Sequence, residues 1–307
     1  SAPSETELYE TEGCLNLPKR QTAIHKGTVS VVAFLFAVLG LFVYSPPAQA
    51  AVASGFNPGN IISNELFYNG RAMTSSEIQS FLNQKLSKCR IGTPPYLPGA
   101  KSPSGSGNII ATNCLRDFRQ TTSSRVADAY CQGYVGVPNE SAADIIAKVG
   151  LSCGISQKVL LVMLEKEQSL VTDDWPVTRQ YNYALGMNCP DSGPGNSANC
   201  DAASAGFALQ LYLGARQLKV YLGNPNLFGY KAQQMNTIQW STKTTCGSSQ
   251  VYIENSATAA LYIYTPYRPN QAALDAGWGM GNECSSYGNR NFYLFYNTWF
   301  GDTQMSS

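Results

Sequence analysis

The sequence contains almost no histidine: the single His25 precedes a long apolar run near the N-terminus. A chain with no imidazole after residue 50 cannot use a Ser-His-Asp or Cys-His nucleophile pair, a His-ligated zinc ion or a His general base. Any chemistry in this part of the chain must therefore use carboxylates, tyrosines, lysines or backbone groups.

Charge is also scarce, at 13% charged residues and a formal net charge of +1. No basic run occurs beyond the N-terminus, so electrostatic capture of nucleic acid is not expected. CxxC spacing is absent as well, and we therefore expect neither a metal site nor a cofactor. The chain is 44% apolar and 11% aromatic, a composition that excludes general disorder and can supply one large core or two small ones.

Residues 1–50 have the pattern of a targeting segment. Lys19, Arg20 and Lys26 precede the apolar run Val29 to Tyr44, and the small residues of Ala48-Gln49-Ala50 follow. The run is shorter than the roughly 20 residues that span a bilayer, which favours an exported protein cleaved after Ala50. A retained N-terminal transmembrane anchor and a buried soluble helix are the alternatives. Contact with a membrane is expected only through this segment, if it is uncleaved.

The cysteines agree with export. Cys14 lies before the apolar run, and an even set follows it: Cys89, Cys114, Cys131, Cys153, Cys189, Cys200, Cys246 and Cys284. In an exported protein such a set predicts disulfides, although sequence alone leaves the pairing open. Pairing of nearest neighbours gives 89–114, 131–153, 189–200 and 246–284.

Two regions are predicted after the targeting segment. Residues 56–134 form an N-terminal accessory region with one short helix, opened by Thr74 and Glu77 as a capping box, and a Pro/Gly/Ser loop at 93–108. Residues 139–303 have mainly helical patterns. Helices are predicted after the caps Ser141 (with Asp144) and Ser156 and over 205–221, 255–264 and 289–300, with a hairpin over 237–253. The predicted fold is mainly α (α+β), with a small β-hairpin and a disulfide-stapled N-terminal region.

Four carboxylates lie between Leu164 and Pro176 (LEKEQSLVTDDWP). On a helix, Leu160, Met163, Leu164, Leu170 and Val171 line one face. Glu167 belongs to the same apolar stripe, whereas Glu165 lies about 160° away beside Lys158 and Ser169 and is expected to be solvated. A carboxyl group in apolar surroundings keeps its proton to a higher pH, as a general acid for a glycosidic oxygen requires. The alternative is a buried structural glutamate held by an arginine or a tyrosine hydroxyl.

The residues after this helix could form the wall of a cleft. Asp173, Asp174 and Trp175 end the helix, and Trp175 could be a sugar platform or a packing residue. Tyr181, Tyr183 and Asp191 follow in a Gly/Asn/Ser-rich stretch that Cys189 and Cys200 are expected to staple. Polar and aromatic loop residues held by a disulfide are suitable for binding a substrate.

A resemblance supports this interpretation. The helix ending in a glutamate, the N-Y-A-L-G-M motif at 182–187 and a following helix are similar to the lysozyme-like superfamily of bacterial glucosaminidases and lytic transglycosylases. The phrases MTSSEIQSFLN, CLRDFRQTTSSRVADAYC, KEQSLVTDDWP, VYIENSATAALYIYTPYRPN and YGNRNFY also resemble exported actinobacterial proteins described as haemagglutinin-like or cell-wall hydrolase-like. The resemblance implies a lysozyme-like helical core.

By this resemblance, Glu167 takes the place of the catalytic acid/base, and Tyr181 or Tyr183 that of the active-site tyrosine. Asn182, Trp175, Asp173 and Asp174 become candidate substrate contacts. The motif does not fix a second carboxylate; Asp173, Asp174 and Asp191 are the candidates, with Asp191 preferred because its loop can face the helix end. The spacing of two catalytic carboxyls decides between inversion and retention, and sequence cannot supply it.

Two functions remain open at this stage. The first is an exported glycosidase that cleaves the β-1,4 amino-sugar backbone of peptidoglycan, located outside the cell or in its wall. The second is a non-catalytic surface adhesin or wall-binding protein on the same fold. Both have peptidoglycan or another cell-surface glycan as the partner.

Overall fold

The computed structural model describes residues 53–195 and 197–304, which are mainly helical. The predicted targeting segment at 1–50 lies outside the described residues. The α-helices are α1 Asn64–Phe67, α2 Ser75–Lys85, α3 Ala142–Cys153, α4 Gln157–Gln168, α5 Thr178–Asn182, α6 Phe207–Gly223, α7 Ser256–Tyr264, α8 Gln271–Asp275 and α9 Gly288–Phe300. The strands are β1 Arg119–Gln120, β2 Glu140–Ser141, β3 Gln234–Gln239 and β4 Ser248–Ile253. The prediction of a mainly α fold is confirmed.

Local capping signals place two of these helices. Thr74 and Glu77 form the reciprocal capping box that opens α2, and the Ser141 side chain accepts from the Asp144 N–H to open α3. Gly154 ends α3 in the left-handed conformation that glycine adopts without steric cost. Ser156 precedes α4 as predicted, but its side chain makes no capping bond. That detail of the prediction is wrong.

The central helix α4 is buried on all sides rather than on one. Every residue from Val159 to Leu164 is at most 1% exposed, because α3 packs on one side and α9 on another. The single apolar stripe predicted from the sequence is therefore wrong. A helix that is apolar all round belongs in a core, and periodicity does not distinguish its faces.

The predicted hairpin is confirmed. β3 and β4 pair antiparallel in register from Gln234 opposite Ile253 to Gln239 opposite Ser248. The first strand begins earlier than expected, at Gln234. Ile238, Val251 and Ile253 point inward to the core, in the alternation typical of a ribbon with one buried face.

One hydrophobic core spans both predicted regions. Helix α2, from the accessory region, packs on α3, and the segment 53–67 packs against α7, α8 and α9 near the other end of the chain. The Ser63 N–H donates to the Thr303 carbonyl at 2.9 Å. Gly70 lies so close to α3 that a Cβ would meet the Gly150 carbonyl oxygen at 2.5 Å, so only glycine permits this approach.

All four nearest-neighbour disulfides are formed: Cys89–Cys114, Cys131–Cys153, Cys189–Cys200 and Cys246–Cys284. They are compatible with an extracellular location. In the part of the chain that the structure describes, no single helix has the length and apolarity needed to cross a membrane. Only α3 and α4 taken together pass such a test, and they are bent by 119°.

Candidate functional site

The C-terminal end of α4 is a tight reversal of the chain. Ser169 caps the helix in the left-handed region with φ 55°, and its N–H donates to the Glu165 carbonyl at 2.8 Å. Leu170 and Val171 then turn into the core, where each is at most 1% exposed. The reversal brings the acidic segment 172–176 back beside the helix that precedes it.

Glu165 lies under this reversal and not in solvent. Its side chain accepts hydrogen bonds from the Val171 N–H at 3.0 Å, the Thr172 N–H at 3.1 Å and the Thr172 hydroxyl at 2.6 Å. The residue is 5% exposed. Burial raises the pKa of the Glu165 carboxyl, and the three hydrogen bonds oppose that rise. The prediction of a solvated Glu165 is wrong, because the chain after the helix folds over it.

Glu167 is also enclosed, with its side chain 5% exposed. The Lys166 ammonium lies directly against Glu167 Oε1, and that ammonium also donates to the Thr265 hydroxyl at 3.2 Å and lies 5.3 Å from the Tyr264 ring centroid. Oε1 is buried, and its partner among the described residues is this ion contact rather than a hydrogen bond. The expected purely apolar surroundings are therefore wrong, since the partner is a lysine. Lys166 is enclosed with Glu167, because its side chain is 8% exposed.

The two candidate tyrosines differ in their surroundings. Tyr181 is 4% exposed; its ring stacks on Phe118 at 4.3 Å, and its hydroxyl donates to the Asn113 carbonyl at 2.9 Å. Burial raises the pKa of Tyr181 well above its usual value. Tyr183 is half-buried, and its carbonyl accepts from Gln168 Nε2 at 3.3 Å. The structure thus gives Tyr181 a packing role and brings Tyr183 next to the end of α4.

The segment after α5 is held by a residue that the sequence reasoning missed. Gln210 lies near the N-terminal end of α6 and is fully buried. Its side chain accepts from the Leu185 and Met187 N–H groups and donates to the Met187 and Ser204 carbonyls. The signal was present in FALQLYLG, where one amide interrupts an apolar run. Half-buried Asn182 is fixed through its carbonyl, which accepts from the Gly206 N–H at 3.0 Å.

Asp173 and Asp174 both bind neighbouring protein groups. Asp173 accepts from the Trp175 N–H at 3.0 Å and from Gln180 Nε2 at 2.9 Å, and burial raises its pKa. Asp174 forms a two-pronged ion pair with Arg90, with N–O distances of 2.5 and 2.6 Å. These contacts hold the segment in place, and they also occupy the carboxylate oxygens that a substrate would need.

Trp175 and Asp191 complete the set of predicted site residues. Trp175 is half-buried; its ring lies 5.1 Å from that of Tyr96, and the Arg90 guanidinium lies 5.8 Å from its centroid. Asp191 is half-buried in the loop closed by the Cys189–Cys200 disulfide. The end of α4, the segment 183–187 and the end of α7 are joined, since the Tyr264 hydroxyl donates to the Leu185 carbonyl at 2.7 Å.

Fold and site together define a mainly helical, disulfide-bonded protein with two enclosed glutamates at the end of its central helix. Among the described residues, no three His, Cys, Asp or Glu side chains come together in a way that could hold a metal ion. No protein-family model, no curated protein and no solved structure matches this chain.

Proposed function

We propose that this protein is an exported cell-wall glycosidase with a lysozyme-like helical core, which cleaves the β-1,4 amino-sugar backbone of peptidoglycan with Glu167 as acid/base. The observation that carries the proposal is the position of Glu167, whose carboxylate is enclosed at the end of the central helix against the Lys166 ammonium. A buried ion pair costs desolvation energy and is weak evidence for stability, so its presence calls for an explanation. A proton-transfer role supplies one.

The chemistry requires one proton transfer and one bond cleavage. Protonated Glu167 donates its proton to the bridging glycosidic oxygen, and the bond from that oxygen to C1 breaks with its electron pair going to the oxygen. The resulting carboxylate lies against the Lys166 ammonium, which stabilises the new negative charge. If no second carboxylate takes part, the Glu167 carboxylate then takes the proton of the group that attacks C1, and Glu167 is protonated again.

The identity of the attacking group depends on a second carboxylate. We take Asp191 as the candidate partner, because it lies in the loop closed by the Cys189–Cys200 disulfide and this loop can face the helix end. With Asp191 as general base, the attacking group is water, and its proton goes to Asp191 rather than to Glu167. With no partner carboxylate, the 6-hydroxyl of the same sugar can attack and give a 1,6-anhydro product, as in lytic transglycosylases. The products of the reaction therefore distinguish the two forms of the proposal.

The surrounding residues take supporting roles in this proposal. Tyr183 is the active-site tyrosine, since Tyr181 is committed to the core. Asn182 and Trp175, both half-buried, are the candidate sugar contacts. The four disulfides support a location outside the cell, and we place the protein in the medium or at the cell wall. The partner is peptidoglycan or another cell-surface glycan, with no cofactor or nucleic acid required.

The test uses the purified protein and dye-labelled cell walls. Glu167→Gln keeps the shape of the side chain but removes the transferable proton, so we expect dye release to fall by about 100-fold or more, while binding to walls is retained. Glu165→Gln is the matched control, two residues earlier on the same helix, and should retain release. Full activity of the Glu167 variant, or equal loss in both variants with intact folding, would contradict the assignment.

A non-catalytic wall-binding protein or adhesin is the second candidate, and a specific observation favours it. The carboxylates of Asp173, Asp174 and Glu167 all lie against partners within the protein, as in a structural network. In that case the wild-type protein sediments with walls and releases no dye, and Glu167→Gln changes neither result. Dye release by the wild type excludes this candidate.

A further inference from the structure

A polar cleft separate from the end of α4 lies between the segment 120–125 and the N-terminal half of α6. It has a volume of about 180 Å³. Its lining includes Gln120, Thr121, Ser123, Arg125, Ala208 and Tyr212, and does not include Glu167. The cleft is smaller than the roughly 300–1,000 Å³ typical of drug-sized ligands. It can enclose a small group or one end of a larger molecule.

Arg125 is the distinctive residue of this cleft. Its backbone is fixed by paired hydrogen bonds with Tyr134, at 2.8 and 2.9 Å, and its guanidinium lies 5.1 Å from the Tyr212 ring centroid. Within residues 53–195 and 197–304, no acceptor receives a hydrogen bond from this guanidinium, and no carboxylate pairs with it. A guanidinium can form two parallel bonds to a carboxylate. The donors of Arg125 are therefore available to a ligand.

Three other arginines are paired with carboxylates, whereas Arg71 and Arg179 are not but are exposed and lie outside this cleft. Arg90 pairs with Asp174, Arg116 with Asp117 and Arg216 with Asp128. Arg216 lies about one turn along α6 from Tyr212. It is half-buried like Arg125, and therefore makes a matched reference for it.

The nearby acids do not neutralise Arg125. Glu140 is 3% exposed beneath the cleft and is occupied by the Lys148 ammonium, the Tyr134 hydroxyl at 2.6 Å and the Thr122 hydroxyl at 2.5 Å. Asp128 is held by Arg216 at 2.6 Å. Because both carboxylates are paired with other cations, the cleft keeps the positive charge of Arg125.

Further donors line the same space. Gln120 Oε1 accepts a hydrogen bond from the Ala208 N–H at 3.1 Å, in the first turn of α6. The amide nitrogen of Gln120 therefore lies on the side of Gly206. The N-terminal end of a long helix also carries a partial positive charge. The Ser123 and Thr121 hydroxyls are exposed at the rim. The arrangement suits a ligand that is negatively charged and rich in acceptor oxygens.

We propose that this cleft binds the carboxylate of an acidic amino sugar, with Arg125 as the two-pronged partner of that carboxylate. The choice of this sugar rests on the proposed function: a muramic acid unit of peptidoglycan that has lost its stem peptide carries a free carboxylate on its lactyl group, and N-acetylglucosamine does not. Bound there, a muramic acid unit would position a glycan strand on the protein away from Glu167. The cleft would then contribute to recognition of the wall without touching the bond that is cut.

The test is a titration of the full protein with N-acetylmuramic acid and, separately, with N-acetylglucosamine, followed by NMR. We expect the muramic acid to shift the Tyr212 ring resonances, and the glucosamine, at equal concentration, to leave them unchanged. Arg125→Gln should weaken binding at least about tenfold, the loss of one charge-assisted contact. Arg125→Lys keeps the positive charge but not the two parallel N–H donors, so its affinity should fall by an intermediate factor. Arg216→Gln should bind as the wild type does.

Each outcome bears on the proposal. Equal binding of both sugars, unchanged binding by a folded Arg125→Gln variant, or stronger binding of inorganic phosphate than of muramic acid would overturn it. Circular dichroism establishes folding, and Arg125→Lys serves if the glutamine variant does not fold. The titration is repeated with Glu167→Gln, which should bind the muramic acid unchanged. If the wild-type protein binds muramic acid but releases no dye from walls, the catalytic role is refuted and the cleft assignment still stands.

Discussion

Replacement of Glu165 tests how the end of α4 is held together. Its carboxylate is the acceptor for two buried backbone N–H groups, those of Val171 and Thr172, and for the Thr172 hydroxyl. Glu165→Ala leaves the two N–H groups without an acceptor. At about 1–3 kcal/mol for each such group, the variant should lose about 2–6 kcal/mol of unfolding free energy, a large part of a typical total of about 5–15 kcal/mol.

Glu165→Gln should be much milder. The amide oxygen can accept from both N–H groups, and the amide nitrogen can donate to the Thr172 hydroxyl, so we expect a loss of about 1 kcal/mol or less near neutral pH. This is why the glutamine variant is a suitable control for Glu167→Gln. Glu283→Ala, at a side chain that is 82% exposed, should change stability by less than about 0.5 kcal/mol.

The wild type and the Glu165→Gln variant should differ in how their unfolding free energy depends on pH. Burial raises the folded-state pKa of Glu165 above its ordinary value of 4.5. Protonation therefore stabilises the fold: this contribution is fully present below pH 4.5 and is lost as the pH rises through the folded-state pKa. Glu165→Gln lacks the contribution, so the wild type should lose stability relative to the variant between acid and neutral pH, by about 1.4 kcal/mol for each unit of the shift.

Urea unfolding at several pH values, followed by circular dichroism, measures both effects. If Glu165→Ala unfolds with the same urea midpoint and slope as the wild type, the Glu165 carboxylate does not stabilise the end of α4 through these hydrogen bonds. If the difference in unfolding free energy between the wild type and Glu165→Gln is the same at acid and neutral pH, burial does not disfavour the charged form of Glu165.

Four further results are expected. Cys189→Ser with Cys200→Ser should lower stability by about 2–4 kcal/mol, measured by urea unfolding; an unchanged midpoint would show that the disulfide constrains nothing. Gln210→Leu should cost at least about 3 kcal/mol in the same assay, because it leaves several buried N–H and carbonyl groups unpaired, and a neutral result would refute its role in holding the segment 185–187. Tyr181→Phe should cost about 0.5–1.5 kcal/mol and leave wall lysis unchanged, whereas loss of lysis in a folded variant would make this tyrosine catalytic. Wall lysis should survive EDTA, and its loss with recovery on added divalent metal would exclude the carboxylate mechanism.

Local signals in the sequence were sufficient wherever a feature depends on neighbouring residues. The capping box at Thr74 and Glu77, the cap at Ser141 and the end of α3 at Gly154 were predictable because each depends on hydrogen bonds or backbone angles within a few residues. The hairpin followed from strand alternation with a turn between the strands. Nearest-neighbour pairing of the cysteines also held, since short loops bring their ends together at the least entropic cost.

The surroundings of the glutamates could not be predicted in this way. Helical periodicity predicts Glu167 on a buried face and Glu165 in water. Periodicity assigns sides only when one side of a helix faces solvent, and α4 is packed all round. Glu165 is covered by the chain that follows it. Glu167 lies against Lys166, whose ammonium donates to Thr265, almost 100 residues later in the chain.

The sequence by itself determined three features of the protein: its mainly helical structure, its four disulfides, and the lack of histidine after residue 50. Because of the last feature, its chemistry must use carboxylates. Only the tertiary structure decided which carboxylates are available. It committed Asp174 to Arg90 and Asp173 to Gln180, and left the Arg125 guanidinium, among the described residues, without a carboxylate partner. The physical reason is that a side chain's hydration and partners depend on contacts between distant segments, and these contacts exist only once the core has closed.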